Sequence, residues 1–349
     1  EVSGITTATQ VAVSYDHSCA LLSDGKVKCW GLNDDGQLGD GSTTDSTTPV
    51  DVSGITTATS IAVGRDASCA LLADNTIKCW GDGGSVADGA IDDRSTPVTI
   101  SGITTATSIT MNYFHACAVL SDGTIECWGF NSDGQLGDGT TSSSYTATVT
   151  VSGITTATSM DTGMTHSCAV LTDGKVKCWG ENDSGQLGDG TTTDRTTPVE
   201  VSGITTATSV IAGTDHSCAV LTDGTAKCWG DNSAGELGDG TTTDRTTPVE
   251  ATLHLSSPPP PPTPAPPPPS PPPTPAPPPP SPPPSLSDYM SPPPSPPPSA
   301  SSDTAENLPL GVNSNPSNDQ SSSSTGAIVG SLVGVMILFP STTFSILAI

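Results

Sequence analysis

The stretch HSCAVLTDGKVKCWGENDSGQLGDGTTTDRTTPV, residues 166–199, has a related copy in four other places along the 349-residue chain. Each copy follows an SGITTAT segment, and the first cysteines of successive copies are 50, 48, 51 and 50 residues apart. A regular period of this length indicates a repeat architecture, in which each unit buries its apolar face against its neighbours. Five such units account for residues 1–257.

Short strands are the elements that the sequence predicts within each unit. In the second unit Cys69 and Leu71 are two residues apart, as are Ile77 and Cys79, and this period of two is typical of β-strands. Turn sequences such as S-D-G and T-D-G separate the runs, and no run has the period of a helix face. Several short strands in every unit predict an all-β fold, a β-propeller with about five visible blades.

The unit resembles the regulator-of-chromosome-condensation repeat. The matching pieces are H-x-x-A-L and its close variants, W-G, N-x-x-G-Q-L-G and the T-P-V ending, which recur along the five units. The resemblance implies four-stranded blades, of which family members typically have about seven. The propeller of a bacterial β-lactamase-inhibitory protein is also similar.

Two units depart from this pattern. The second reads GDGGSVADGA over residues 81–90 and lacks G-Q-L-G, whereas the third ends in TTSSSYTATV over residues 140–149 and lacks D-R-T-T-P-V. Because repeats contact only their nearest neighbours, we expect such departures to weaken one blade locally without abolishing the array.

One pair of cysteines recurs in every unit. The pairs are Cys19 with Cys29, Cys69 with Cys79, Cys117 with Cys127, Cys168 with Cys178, and Cys218 with Cys228. A three-residue hairpin loop over residues 23–25 would pair Leu22 with Lys26 and place Cys19 opposite Cys29, with Cα atoms about 4.5–5.5 Å apart. Asn75 replaces the loop glycine in the second unit, and asparagine tolerates the left-handed conformation needed there. This register favours a disulfide in every blade.

Two other fates for the cysteines stay open, namely buried free thiols and a zinc site that uses His17. Zinc would lack a fourth ligand, and the second unit has Ala67 where the histidine should be. Disulfides in all five units would indicate an oxidising compartment. In that case the chain resembles the secreted and cell-surface variety of the repeat rather than the nuclear exchange factor for the small GTPase Ran.

The charge of the repeat region argues against a nucleic-acid partner. All 10 basic residues and all but four of the 36 acidic residues precede Pro258, which leaves 32 acids against 10 bases and a net charge near −22. Such a surface repels phosphate backbones and anionic lipid headgroups, and no cluster of Lys or Arg interrupts it.

A proline-rich stalk is predicted over residues 258–299. Its SPPP blocks favour polyproline II and would reach roughly 130 Å at about 3.1 Å per residue. The blocks resemble the hydroxyproline-rich spacers of plant and green-algal wall glycoproteins, and a ligand for SH3-type domains is the alternative. Residues 300–326 are rich in Ser and Asn, a composition typical of disorder.

A membrane anchor is predicted over residues 327–349, which carry no charged side chain. A GPI attachment signal and a spanning helix are the two interpretations, and both place the propeller outside the cell. No basic-then-apolar leader precedes the repeats, and an upstream signal peptide removed before Glu1 would fit this.

The sequence predicts no catalytic residues, no cofactor and no metal site. His17, His115, His166 and His216 occupy one equivalent position in four of the five units, and we expect each to be a structural side chain satisfied by its own blade rather than a ligand. The loop NDDGQLGDG, residues 33–41, resembles a calcium loop but lacks both terminal carboxylates, so we expect turn glycines and a core role for Leu38. The sequon at Asn182 predicts a glycan on a loop.

The residues that differ between units are the candidates for binding a partner. The third unit holds Tyr113, Phe114 and Phe130, with Tyr145 nearby, and these include both phenylalanines that precede Pro258. Clustered exposed aromatic side chains mark binding sites. Alternatively, they fill space left by the altered ending of this unit.

Together these features predict a non-enzymatic binding module on the extracellular face of the plasma membrane or in the cell wall, with a protein or glycan ligand. One alternative is a guanine-nucleotide exchange or regulatory protein for a small GTPase, which rests on family analogy alone. Another is a secreted enzyme inhibitor.

Overall fold

The computed structural model describes residues 2–251, which form five antiparallel sheets of four strands, one for each sequence repeat. The all-β fold and the four-stranded blades are therefore confirmed. The predicted stalk, spacer and anchor lie outside the described residues. Within residues 2–251, no helix is long and apolar enough to span a membrane.

The strands follow one another in order within each sheet. The first sheet contains β1 (Ala8–Val13), β2 (His17–Leu22), β3 (Val27–Gly31) and β4 (Ser46–Asp51); the second contains β5 (Ala58–Val63), β6 (Ala67–Leu72), β7 (Ile77–Gly81) and β8 (Arg94–Thr99). The third contains β9 (Ala106–Asn112), β10 (His115–Leu120), β11 (Ile125–Gly129) and β12 (Ser144–Thr150). The fourth contains β13 (Ala157–Thr162), β14 (His166–Leu171), β15 (Val176–Gly180) and β16 (Arg195–Glu200); the fifth contains β17 (Ala207–Ala212), β18 (His216–Leu221), β19 (Ala226–Gly230) and β20 (Arg245–Glu250).

The central hairpin of each sheet has the predicted register. In the first sheet, the Leu22 N–H donates to the Lys26 carbonyl at 2.8 Å, and Gly25 between them has a φ of 78°. Asn75 takes the same left-handed conformation, with a φ of 65°. Cys19 lies directly opposite Cys29.

All five cysteine pairs form disulfides, so the predicted pairing is confirmed. The paired Cα atoms are 4.0–4.1 Å apart, slightly closer than the predicted range. Each bond crosses between the second and third strands of one sheet, and therefore staples a blade internally without joining two blades.

A buried asparagine organises the loop after the third strand in four of the five units. Asn182 is fully buried; its Nδ2 donates to the carbonyls of Thr191 and Thr193 at 3.1 Å, and its Oδ1 accepts the Leu187 N–H at 2.9 Å. One side chain thus ties together three points of a long loop. The predicted glycan at Asn182 does not fit this fold, because attachment requires an accessible Nδ2.

The apolar core lies between successive sheets. Leu38, from the loop of the first sheet, is fully buried in one cluster with Val52 and with Trp80 of the second sheet. Gly36 and Gly39 beside it have φ values of 83° and 70°, so the turn and core roles predicted for this loop are confirmed.

The first and last sheets each leave one face uncovered by the described residues. Trp30 of the first sheet is only half-buried, whereas its four counterparts are fully buried. On the first strands of these two sheets, β1 and β17, Val11 is 39% exposed and Ile211 is 51% exposed. The packing of this array is therefore strongest at the four boundaries between successive sheets.

Candidate functional site

A hydrogen-bond network crosses the boundary between neighbouring sheets. Nε2 of His166 lies 2.8 Å from Oγ of Ser217, which donates at 2.9 Å to the Gln186 carbonyl. The same carbonyl accepts the Trp229 indole N–H at 2.8 Å. Since serine has a single hydroxyl proton and gives it to Gln186, the proton shared with the imidazole must sit on Nε2 of His166.

The same arrangement recurs at two other boundaries. His17 lies 2.8 Å from Ser68, and His115 lies 2.9 Å from Ser167. Burial lowers the pKa of His17 to about 4 and that of His115 and His166 to about 3, so all three rings are neutral.

These contacts correct the expectation that each histidine is satisfied by its own blade, because every Nε2 bond reaches the next one. Only the second ring nitrogen of His17 has a partner in its own sheet, the Ser14 hydroxyl at 3.0 Å. His216, in the last sheet, is half-buried, and no serine of a following sheet lies among residues 2–251.

The boundary between the second and third sheets lacks this network. Ala67 stands in the histidine position, and Ala116 stands in the facing serine position. Met111 packs into the same apolar cluster as both alanines, with its Sδ 3.9 Å from Sγ of Cys69. Losing only one partner would leave a buried polar group unpaired, which is costly, whereas losing both avoids that cost.

The aromatic residues singled out in the sequence meet at this same boundary. A cavity of about 210 Å³ is lined by Asp82, Gly84, Ser85, Phe114, Phe130 and Tyr145. The Phe114 and Phe130 ring centroids are 5.9 Å apart in an edge-to-face arrangement. Tyr113 packs on Phe114 with centroids 5.3 Å apart. Three of the four candidate residues thus line the cavity, and the fourth supports one wall.

A shortened loop in the second unit makes room for Tyr145. This loop is two residues shorter than its counterparts and forms a 3-10 turn over Gly83–Ser85. A Cβ on Gly84 would lie 3.5 Å from the Tyr145 ring. At the boundary between the third and fourth sheets, the loop backbone at Gly134 instead lies close against Thr196, the counterpart of Tyr145. The two departures from the repeat therefore face each other.

The shortened loop keeps the contacts that G-Q-L-G makes elsewhere. The Ser85 carbonyl accepts the Trp128 indole N–H at 3.0 Å, as the Gln186 carbonyl does for Trp229. Val86 is fully buried, as is Leu38 in the first unit. The second unit was expected to be less stable because it lacks G-Q-L-G, but Ser85 and Val86 supply the equivalent hydrogen bond and core contact.

Carboxylates cluster beside the cavity. Partial burial raises the pKa of Asp66, and the nearby Asp82 and Asp16 carboxylates raise it further. Partial burial also raises the pKa of Asp35, with repulsion from Asp93, Asp66 and Asp82 adding to the effect. Because Asp82 lines the cavity itself, the negative potential extends to its wall.

One cation already contacts the aromatic wall. The Arg65 guanidinium lies 5.8 Å from the Phe114 ring centroid, over its face, and Nε of Arg65 is 3.5 Å from the Asp66 carboxylate. The cation of Arg65 is thus shared between a ring and a carboxylate. Within the part of the chain that the structure describes, no group of three or more His, Cys, Asp or Glu side chains is arranged to hold a metal ion.

Sequence reasoning missed the serine that accepts each histidine proton. A signal was present: serine precedes the first cysteine in every unit but the third, and the unit before the third is the one that lacks the histidine. The second unit has Ala67 in place of the histidine, and the third unit has Ala116 in place of the serine. Because both are missing at one boundary, the sequence indicates that this histidine and this serine contact each other.

Comparison with known proteins gives the following likenesses. The family model of the RCC1-like domain matches residues 1–258. The structure of human WBSCR16 is similar, with 22% identity, 70% of this chain and 67% of that chain covered, and a TM-score of 0.64. Two yeast Prp20 structures share 19% identity over 70% of this chain. The one bound to Kap60 is covered over 75% with a TM-score of 0.47, and the one from Saccharomyces cerevisiae described with Gsp1p and histones over 77% with a TM-score of 0.46.

Proposed function

The chain belongs to the RCC1-like domain family, and we propose that its blades form an extracellular recognition module that binds a protein partner at the cavity between the second and third sheets. One observation carries the proposal: the shortened loop at Gly84 and the aromatic residue Tyr145 meet across one boundary. A repeated surface cannot discriminate between partners by itself. An aromatic-lined recess lies where the repeat is broken on both sides.

The composition of this surface favours a protein partner. Aromatic rings in a recess are typical of the centre of a protein interface, where they contribute most of the binding energy. The carboxylates around the recess would select a partner with a basic surface and speed its approach. Small GTPases and histones stay outside the proposal, which rests only on the residues that line the cavity.

The five disulfides support a location outside the cytosol, since such bonds persist in oxidising compartments. The predicted stalk and C-terminal anchor would hold the module away from the membrane. A membrane-impermeant amine-reactive biotin, applied to intact source cells, should label the chain. Labelling that occurs only after lysis would contradict the surface location and favour the exchange-factor alternative.

Site-specific photo-crosslinking tests the binding surface. With a benzoylphenylalanine in place of Tyr145 in the full chain, we expect a discrete crosslinked product on intact cells. The matched control places the crosslinker at Tyr15, which is the counterpart of Tyr113 in the first unit, is 69% exposed and does not line the cavity. The same product from both positions, or from neither, would refute binding at the cavity.

A further inference from the structure

Two features of the cavity describe the chemistry of its ligand. Its wall contains three aromatic rings, those of Phe114, Phe130 and Tyr145. Ring faces carry a negative quadrupole, which attracts organic cations within about 6 Å of the centroid. The remaining polar wall includes the Asp82 carboxylate, whose Oδ2 accepts the Ser85 hydroxyl at 2.9 Å. An aromatic recess with one carboxylate matches a cationic group that also has an apolar stem.

The protein itself supplies an example of this contact. The Arg65 guanidinium lies over the Phe114 ring, 5.8 Å from its centroid, and its Nε is 3.5 Å from the Asp66 carboxylate. Phe114 therefore accepts a cation in a setting that also provides a carboxylate. The cavity offers the same two elements to an external ligand, through Tyr145 and Asp82.

The size of the cavity limits what can enter. Its volume of about 210 Å³ is below the range of about 300–1,000 Å³ that is usual for pockets that enclose small-molecule ligands. A single side chain fits this space, whereas a nucleotide or an oligosaccharide exceeds it. The net charge of −26 makes a basic partner the electrostatic complement of this chain.

We infer that the cavity receives the ammonium or guanidinium group of a lysine or arginine side chain, presented by a basic segment of the partner protein. This inference rests on the proposed function and names the chemical class of the ligand at the same site. The alkyl stem of the side chain would pack on the rings, and its charged end would reach Asp82.

Fluorine NMR of the full chain labelled with 3-fluorotyrosine tests the inference. The sequence has four tyrosines, so Tyr145 can report on the cavity while Tyr15 serves as an internal control. The probe is the blocked peptide acetyl-Gly-Gly-Lys-Gly-Gly-amide, and its control carries norleucine, which has a similar stem and no charge. We expect a saturable shift at Tyr145 with the lysine peptide, and about 2- to 30-fold weaker binding of the norleucine peptide.

Two variants separate charge from shape. Asp82→Asn keeps an acceptor for Ser85 and removes the charge, so it should weaken the lysine peptide and leave the norleucine peptide unchanged. Gly84→Val would place bulk against the Tyr145 ring and should abolish both shifts; an unchanged thermal midpoint establishes that it folds. Equal binding of lysine and norleucine peptides, or insensitivity to Asp82→Asn, would overturn the inference.

A third probe, choline chloride, tests whether the cavity binds quaternary ammonium groups instead of a lysine or arginine side chain. If choline binds more tightly than the lysine peptide, the site recognises quaternary ammonium groups, and the assignment to a basic protein segment is wrong. If neither cation binds but the crosslink from Tyr145 persists, the recognition surface stands and only the ligand class is refuted. Loss of the crosslink as well would refute the proposed function itself.

Discussion

The hydrogen bond between His166 and Ser217 provides a direct test of how neighbouring blades are held together. Ser217→Ala removes the acceptor of the buried imidazole N–H, which then lies unpaired, and should lower the free energy of unfolding by about 1–3 kcal/mol. The Gln186 carbonyl keeps the Trp229 indole as a donor. His166→Ala removes a fully buried ring and should cost about 2–5 kcal/mol, by analogy with other large-to-small changes.

The double variant distinguishes a hydrogen bond from simple packing. With both side chains truncated no N–H is left unpaired, so the loss should fall short of the sum of the single losses by about 1–2 kcal/mol. The natural pair Ala67 and Ala116 has this composition. Equilibrium denaturation in guanidinium with the disulfides intact, followed by tryptophan fluorescence, measures all three losses.

A matched control is available in the first sheet. Ser18 is the counterpart of Ser217, but no histidine of a preceding sheet faces it among the described residues. Ser18→Ala should therefore change stability by less than about 0.5 kcal/mol. If the losses of stability for Ser217→Ala and His166→Ala sum to that of the double variant within about 0.5 kcal/mol, the hydrogen bond between His166 and Ser217 is refuted.

Buried ionisable groups, two glycines and the cysteines each give a further prediction. Burial lowers the pKa of the three buried histidines to about 3–4, so the unfolded chain binds more protons than the folded chain below pH 6.5. The free energy of unfolding should therefore fall as pH drops below 6.5, by up to about 4 kcal/mol per pH unit. Denaturant titrations at a series of pH values measure this. Burial raises the pKa of the Asp161 carboxyl to about 6, so the folded chain holds this proton at pH values where the unfolded chain has lost it. The stabilisation from this proton is complete below the unfolded pKa and is lost as pH rises through 6, so the free energy of unfolding should fall between pH 4 and 6 relative to Asp161→Asn. Parallel pH profiles of stability for the two proteins would contradict this. Gly180→Ala would bring a Cβ within 2.5 Å of the Thr165 carbonyl and should lower the thermal midpoint much more than Gly203→Ala, where a Cβ meets nothing within 4 Å. A thiol count on the denatured chain, trapped at lysis, should give near zero before reduction and ten after it, whereas ten from the start would remove the argument for an oxidising compartment.

The hairpins could be predicted from sequence because the information that fixes them is local. Residues 23–25 set the loop, the loop sets the register, and the register places Cys19 opposite Cys29. Each step depends on residues within a few positions of one another. The strand content and the disulfides therefore followed from pattern and turn chemistry.

The cavity could be predicted only in part, because its two walls come from different units. The sequence marked Tyr145 and Phe114 as unusual, but gave no sign that Tyr145 lies against Gly84, sixty-one residues earlier. Asn182 shows the opposite failure. The sequence pattern predicted a glycan site, whereas the fold buries the Asn182 amide, which donates to two carbonyls of its own loop.

The paired departures at the boundary between the second and third sheets bear on how such a chain can be recombined. The Ala67 and Ala116 pair and the Gly84 and Tyr145 pair each span two units, so a copy that preserved the proposed binding surface would have to include a whole boundary and not one repeat. A third unit copied alone behind a standard loop would bring the Tyr145 ring against backbone that elsewhere packs on threonine. Duplication at the limits of a repeat would therefore add blades but leave the proposed recognition site in a single copy.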